Sequence, residues 1–270
     1  MTTALSLEEV KTRQQKTWSS GDYGKIAWIT VPLADVLCEA TGLRPGAAVL
    51  DVATGTGHVA LAAARRFCAA TGIDYVPALL EQARARAGAE HLPVEFREAD
   101  AEQLPYPDAS FDYVLSAIGV MFTADHQRAA DELLRVCRSG GVVGLANWTP
   151  AGFVGQMLKL AARHVPPPPG IRPPTRWGTE EGAGELLGAG TAELAFSTAS
   201  VRQRFPSPEF FADFFLTHYG PTFKASQALT HEGRRAFRDD LIALATASNH
   251  ATDGTLVSDW EFLVTVATKA

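Results

Sequence analysis

The sequence predicts an α/β protein built on a doubly wound, mostly parallel seven-stranded sheet, and three observations predict it. Between residues 47 and 148 short apolar runs alternate with helix-length stretches, the pattern of parallel strands whose connecting helices cover the sheet. The first run passes through Asp51 into a glycine-rich turn, ATGTGH at residues 53–58, that opens a helix. Asp51, Asp74 and Asp100 stand at the carboxyl ends of the first three strands, one strand–helix unit apart. In an open α/β sheet those ends converge on the binding crevice.

The elements follow in order. Residues 5–18 read as an amphipathic helix that ends in the turn-rich WSSGDYG, and a second helix over 29–41 stops at Gly42. The first strand covers 47–52 and the next helix 57–69; strand 72–74 leads to helix 77–88, and a third strand covers 94–100. Strand 111–116 precedes helix 125–136, and a turn at 139–141 precedes a fifth strand at 142–148. Beyond it come a helix at 152–164 and the stiff, proline-rich segment 165–174, read as a connector or as the edge of a pocket. A sixth strand lies within 191–205, helices fill most of 207–248, and a last strand covers 260–268.

Composition bounds the function. With 46% hydrophobic and 20% charged residues the chain is of ordinary globular type, and no apolar run approaches the length of a membrane-spanning helix. The first residues, MTTALSLEEVK, lack the apolar block of a signal peptide, so a cytoplasmic protein is expected. A net charge of −6 argues against a protein that tracks a phosphate backbone, and Arg65, Arg66, Arg84 and Arg86 are read as a solvated helix surface. Cys38, Cys68 and Cys137 have neither metal-ligand nor disulfide spacing and are expected to pack as small hydrophobes; no metal site is predicted.

The glycine loop narrows the ligand. Its GxGxxA pattern matches a dinucleotide fingerprint, but a pyrophosphate is served poorly by a loop with Asp51 beside it and no cation except His58. A ligand with an ammonium or sulfonium group fits better. Asp74 can accept from two ribose hydroxyls and Asp100 from an adenine amine, so the ligand reads as a nucleoside joined to an amino acid.

The stretches VLDVATGTGH (49–58), GIDY (72–75), EADAEQLPY (98–106), FDYVLSAIGVMF (111–122) and RVCRSGG (135–141) together resemble the class I S-adenosylmethionine-dependent methyltransferases. The subgroup is the ubiquinone/menaquinone-biosynthesis-like one (methyltransferase type 11), and WSSGDY, ANWTP and PPPPG in the flanks are similar to small bacterial members. The resemblance implies a Rossmann-like fold, S-adenosyl-L-methionine as cofactor and S-adenosyl-L-homocysteine as product. It also implies a cofactor site drawn from Trp18, Tyr23, Asp51, Ala53, Gly55, Gly57, His58, Asp74, Tyr75, Asp100, Ala101 and Ser116. Two positions depart from the family pattern. Ala53 replaces the first loop glycine, which is tolerable if its φ stays negative, and Ser116 stands where many nucleic-acid and protein amine methylases carry D/N-P-P-Y.

The expected organisation is an N-terminal helical lid (1–41), a cofactor core (42–150), an acceptor-side cap with strand six (151–250) and a final strand (251–270). The acceptor is expected to be a small molecule, apolar or aromatic, with no nucleic-acid or membrane partner. His58, His126, His164, His218, His231 and Tyr219 are candidate bases; His164, His218 and Tyr219 are the catalytic candidates, His126 is read as facing solvent, and Trp148 as a wall of the acceptor site. The aromatics at 210, 211, 214, 215 and 219 read as packing between cap and core. Two other functions use the same fold: a nicotinamide-dependent oxidoreductase, and a cofactor-binding protein without transferase activity.

Overall fold

The computed structural model describes residues 6–168 and 170–270; residue 5 of the expected first helix and position 169 of the proline run lie outside them. Helix α1 (Leu7–Trp18) begins with a capping box, in which the Ser6 side chain accepts from Glu9 N–H while the Glu9 carboxylate accepts from Ser6 N–H. Helix α2 (Tyr23–Ala40) starts six residues before the expected position. Gly24 and the preceding turn residues weaken the local helix signal, but Ile26, Ile29, Leu33 and Leu37 share one buried face, and their packing overrides it.

The sheet contains β1 (Ala48–Val52), β2 (Ala69–Asp74), β3 (Val94–Glu98), β4 (Phe111–Ala117), β5 (Cys137–Trp148), β6 (Thr191–Phe205) and β7 (Leu256–Lys269). Their order is β3-β2-β1-β4-β5-β7-β6. The first five strands pair in parallel with one another, and β7 runs antiparallel to both β5 and β6. The order reverses between β1 and β4, the switch point at which an open α/β sheet binds its ligand. The residues expected to turn at 139–141 instead form a bulge inside β5, where the pairing with β4 shifts between Phe111–Cys137 and Tyr113–Val142.

Helices α3 (His58–Arg65), α4 (Pro77–Ala89) and α5 (His126–Val136) connect the parallel strands, with α6 (Phe153–His164) after β5. Helix α7 (Glu180–Leu187), which the sequence did not signal, packs on α5, while α8 (Pro208–His218), α9 (Gly220–Ala228) and α10 (His231–Ala247) fill the stretch expected to be helical. Trp260 of β7 stacks with Phe153 and Phe205 and meets Phe211 and Phe215 edge-on, so α6 and α8 share one aromatic core with the sheet. Of the aromatic stripe on α8, Phe211 and Phe215 are buried there and Phe210 is exposed. The three cysteines are buried and unbridged. No helix among the described residues is long and apolar enough to cross a membrane.

Candidate active site at the strand ends

The glycine loop leaves β1 through Ala53, whose φ is +54°, not the negative value expected from sequence. Gly55 and Gly57 also have positive φ, +54° and +88°. At Gly57 a side chain would press on Phe96 and Ala83 at 3.1–3.3 Å, so this glycine also sets how closely α3 packs on β3 and α4. Asp51 is buried, and its Oδ2 accepts from Thr54 Oγ1 and from Ala60 N–H at 2.9 Å. It thus ties the loop to the first turn of α3 and fills the role of a helix-end acceptor. Arg86 of α4 reaches the far side of the loop. Its Nη1 donates to Thr56 O at 2.6 Å and Thr56 Oγ1 at 3.1 Å, and lies 2.8 Å from His58 Nδ1. The sequence placed Arg86 on a solvated surface; it is half-buried against the loop instead.

Asp74, at the end of β2, accepts from Gly55 N–H on Oδ2 and from Val76 N–H on Oδ1, both at 2.9 Å. Asp100 accepts from Glu102 N–H at 2.8 Å and from Lys11 Nζ at 2.7 Å. Lys11, on α1, also pairs with Glu102 at 2.7 Å, and Gln15 one turn further donates to Tyr75 O. Glu102 is buried and accepts from Ala124 N–H and Asp125 N–H, joining α1 to the segment after β4. At the end of α1 the Trp18 ring meets Phe122, Tyr23 and Tyr219 edge-on at 4.9, 5.7 and 5.9 Å.

These groups enclose a cleft of about 1010 Å³, part of it open to solvent. It gathers Trp18, Tyr23, Asp51, Ala53, Gly55, His58, Asp74, Tyr75, Asp100 and Ala101 of the sequence-predicted set. Gly57 and Ser116 stand behind it. Ser116 is fully buried, donates to Val52 O at 2.7 Å and accepts from Val120 N–H at 3.1 Å, bracing the end of β4. Lys11, Gln14, Thr30, Leu33, Glu102, Ile118, Phe122 and Thr123 also line the cleft and were not singled out from sequence. Lys11, Gln14 and Trp18 follow helical spacing on one face of α1, a signal the charge pattern alone does not distinguish from a solvated helix.

The cap residues are elsewhere. The described lining residues come from positions 11–123, and the described residues of the segment 151–250 supply none. Trp148 is not an acceptor wall; it is buried in the core, edge-on to Trp260 and Phe262. His164 pairs with Asp240 at 2.8 Å, and His218 packs against Phe214, both outside the cleft. Tyr219 is buried behind Trp18, and its burial raises the phenol pKa. His126 is buried rather than solvent-facing, and burial with Arg176 nearby lowers it to about 4.

Burial dominates the electrostatics of the cleft. It pushes the Asp51 carboxyl up to about 7 and Asp74 up to about 6. Burial, then the Asp74 charge, pushes the Tyr23 phenol up to about 12. Four acids face one lysine across the lining. Such a site favours a bound cation, which holds buried carboxylates in their charged form.

A family model described as "Methyltransferase domain" matches residues 50–145. Over 255 residues the chain is 39% identical to an uncharacterized protein of Mycobacterium tuberculosis, covering 93% of this chain and 92% of that one. It is 43% identical over 123 residues to the demethylmenaquinone methyltransferase of Deinococcus radiodurans, covering 44% of this chain and 51% of that enzyme. Among solved structures, a putative methyltransferase from Bacillus halodurans shares the fold with a TM-score of 0.59 at 24% identity, covering 87% of this chain and 98% of that one. The chain belongs to the class I S-adenosylmethionine-dependent methyltransferases, of the ubiquinone/menaquinone-biosynthesis-like type. It is an enzyme that uses S-adenosylmethionine, and the nicotinamide and non-catalytic readings fall away. The residues present fit that cofactor: an acidic cleft suits its sulfonium, and Asp74 and Asp100 retain unused acceptor lone pairs.

Proposed function

We propose that this enzyme methylates a small, largely apolar acceptor that enters between α1 and the segment after β4. The observation that carries this reading is the mixed lining of one cleft, in which Asp51, Gly55, Asp74 and Asp100 come together with the apolar Trp18, Leu33, Ile118 and Phe122. On this reading Asp74 accepts from the ribose, Asp100 and Ala101 face the adenine, and the Ala53–Gly57 loop passes the amino-acid part. When bound, the cofactor supplies an electrophilic methyl group on sulfur. The chain's part is to align the acceptor with it and to keep water out, which the Trp18, Tyr23 and Phe122 rings do at the mouth of α1.

The titratable lining groups besides the four acids are Lys11, Tyr23, Tyr75 and His58. Both phenols are held neutral by burial, and His58 already uses Nδ1 toward Arg86. None is a free base at neutral pH, and the acids are engaged, Asp51 by Thr54 and Ala60, Asp74 by Gly55 and Val76, Asp100 and Glu102 by Lys11. The acceptor therefore brings its own nucleophile, such as an unprotonated amine or an already acidic hydroxyl or carbon. The test is S-adenosylhomocysteine production across a panel of apolar amines, acidic phenols, enolisable diketones and simple alcohols. Turnover is expected with the first three classes; preferred turnover of simple alcohols would refute the reading.

A further inference from the structure

We infer that Arg86 is a positioning residue of the cofactor site, which fixes His58 as the neutral imidazole with its proton on Nε2 and so keeps the glycine-loop end of the cleft free of a second cation. The inference rests on the reading of the Ala53–Gly57 loop as the cofactor loop, and on geometry. A guanidinium has only donors. With Arg86 Nη1 2.8 Å from His58 Nδ1, that nitrogen must present its lone pair, and the ring proton must sit on Nε2. Protonating Nδ1 would set N–H against N–H at hydrogen-bond distance, beside a fixed positive charge.

Arg86 cannot easily turn away, because one Nη1 hydrogen is shared by the carbonyl and hydroxyl of Thr56, which leaves the other for His58. The other groups facing His58 do not supply a counter-charge. They are Arg65 from its own helix, itself positive, and the uncharged Ala27 carbonyl from α2. Burial first, then Arg86, lowers the imidazole to about 3, in the same direction as the geometry.

The consequence follows from where His58 stands. It lines the cleft with Thr54, Gly55 and Thr56, beside the acids that must receive a cationic cofactor. A histidine of ordinary pKa there would charge in mild acid and oppose the sulfonium; one held neutral by burial and by Arg86 does not.

The test uses the full chain with ¹⁵N-labelled histidine. Imidazole shifts of the wild type should show a proton-free Nδ1 and a protonated Nε2 down to about pH 5, whereas in Arg86→Met the ring should titrate at a clearly higher pH than in the wild type, with burial still holding it below the ordinary histidine range. Calorimetric binding is then compared at about pH 8 and about pH 5.5. Arg86→Met should lose on the order of tenfold more S-adenosylmethionine affinity on acidification than the wild type does. The extra loss should be smaller for S-adenosylhomocysteine, which lacks the sulfonium charge, and absent in the double variant His58→Gln/Arg86→Met. Wild-type titration of His58 in the ordinary range, or an Arg86→Met imidazole unchanged from wild type, overturns the inference without touching the cofactor reading. The expected imidazole behaviour with binding indifferent to it would instead overturn the placement of the cofactor beside this loop. If Arg86→Met does not fold, the wild-type imidazole spectrum still decides the tautomer.

Discussion

Ala53 holds a backbone conformation that costs an alanine about 1 kcal/mol and a glycine almost nothing. Its surroundings are built for it, since a Cβ on Gly119 would meet the Ala53 methyl and carbonyl at 2.5 Å. Ala53→Gly should therefore raise Tm by about 2 °C while leaving S-adenosylhomocysteine affinity unchanged. A melt showing no gain would mean that the loop relaxes the strain in solution. Asp74→Ala should behave in the opposite way. It removes the partner of Gly55 N–H and Val76 N–H together with the proposed ribose acceptor. Loss of two charge-assisted bonds to the ligand predicts about 3 kcal/mol, a more than hundredfold weaker affinity by calorimetry. Wild-type affinity would remove Asp74 from the site. The identities of these residues were legible from sequence, because strand-end acids and a glycine loop are pattern features. The sign of φ at Ala53 was not, since it depends on the neighbouring segment at Gly119, far away in the chain. Arg86 was illegible for a similar reason: nothing local distinguishes an arginine on a solvated helix face from one that reaches under a loop 30 residues earlier.

At the scale of elements, α1 is held to the core by polar contacts along one face and by an aromatic anchor at its end. Lys11 bridges Asp100 and Glu102, Gln15 reaches Tyr75 O, and Trp18 closes the aromatic group with Phe122. The Glu102 side chain is 5% exposed and Lys11 28%, so this pair is better shielded than a surface ion pair but still within reach of salt. Lys11→Met should raise the dissociation rate of S-adenosylhomocysteine about fivefold, equivalent to roughly 1 kcal/mol, and should reduce its dependence on salt. An unchanged rate, measured by stopped flow, would mean that α1 does not cover the ligand. Elements were legible where local pattern and tertiary packing agree, as in β1, α4 and β4. They were missed where packing alone makes them. Helix α7 carries glycines at 182 and 184, yet Ala183, Leu186 and Leu187 are buried, and its packing on α5 outweighs the poor propensity. The position of the 151–250 segment was equally illegible, because apolar helices declare that they pack but not against which face.

For the whole molecule, the two buried acids of the cleft make their contributions to stability and to ligand binding respond to pH in opposite directions. Asp51 and Asp74 sit at about 7 and about 6 in the fold, raised mainly by burial from an ordinary value of 3.8. An unfolded chain keeps them near that ordinary value. Between about pH 4 and pH 7 these two groups therefore bind more protons in the fold than in the unfolded chain, and the stability they contribute rises as pH falls through this window. A tenfold change in proton affinity corresponds to about 1.4 kcal/mol, so the two groups together contribute a few kcal/mol that is absent above about pH 7. His58 and His126, lowered by burial to about 3 and about 4, act oppositely below about pH 6.5, and carboxylates with lowered pKa, such as Asp213 beside Arg238 and Asp259 beside Arg202, do so only in more acidic solution. A bound cation reverses the preference of the cleft, because it favours the ionised acids. Binding of S-adenosylmethionine at about pH 6 should release protons, and at about pH 8 it should release almost none. The increase in Tm produced by the cofactor should therefore be smaller at about pH 5.5 than at about pH 8. Calorimetry in two buffers of different ionisation heat counts the released protons directly. If none are released at about pH 6, and affinity is flat across the window, the buried acids do not face the cofactor's positive charge.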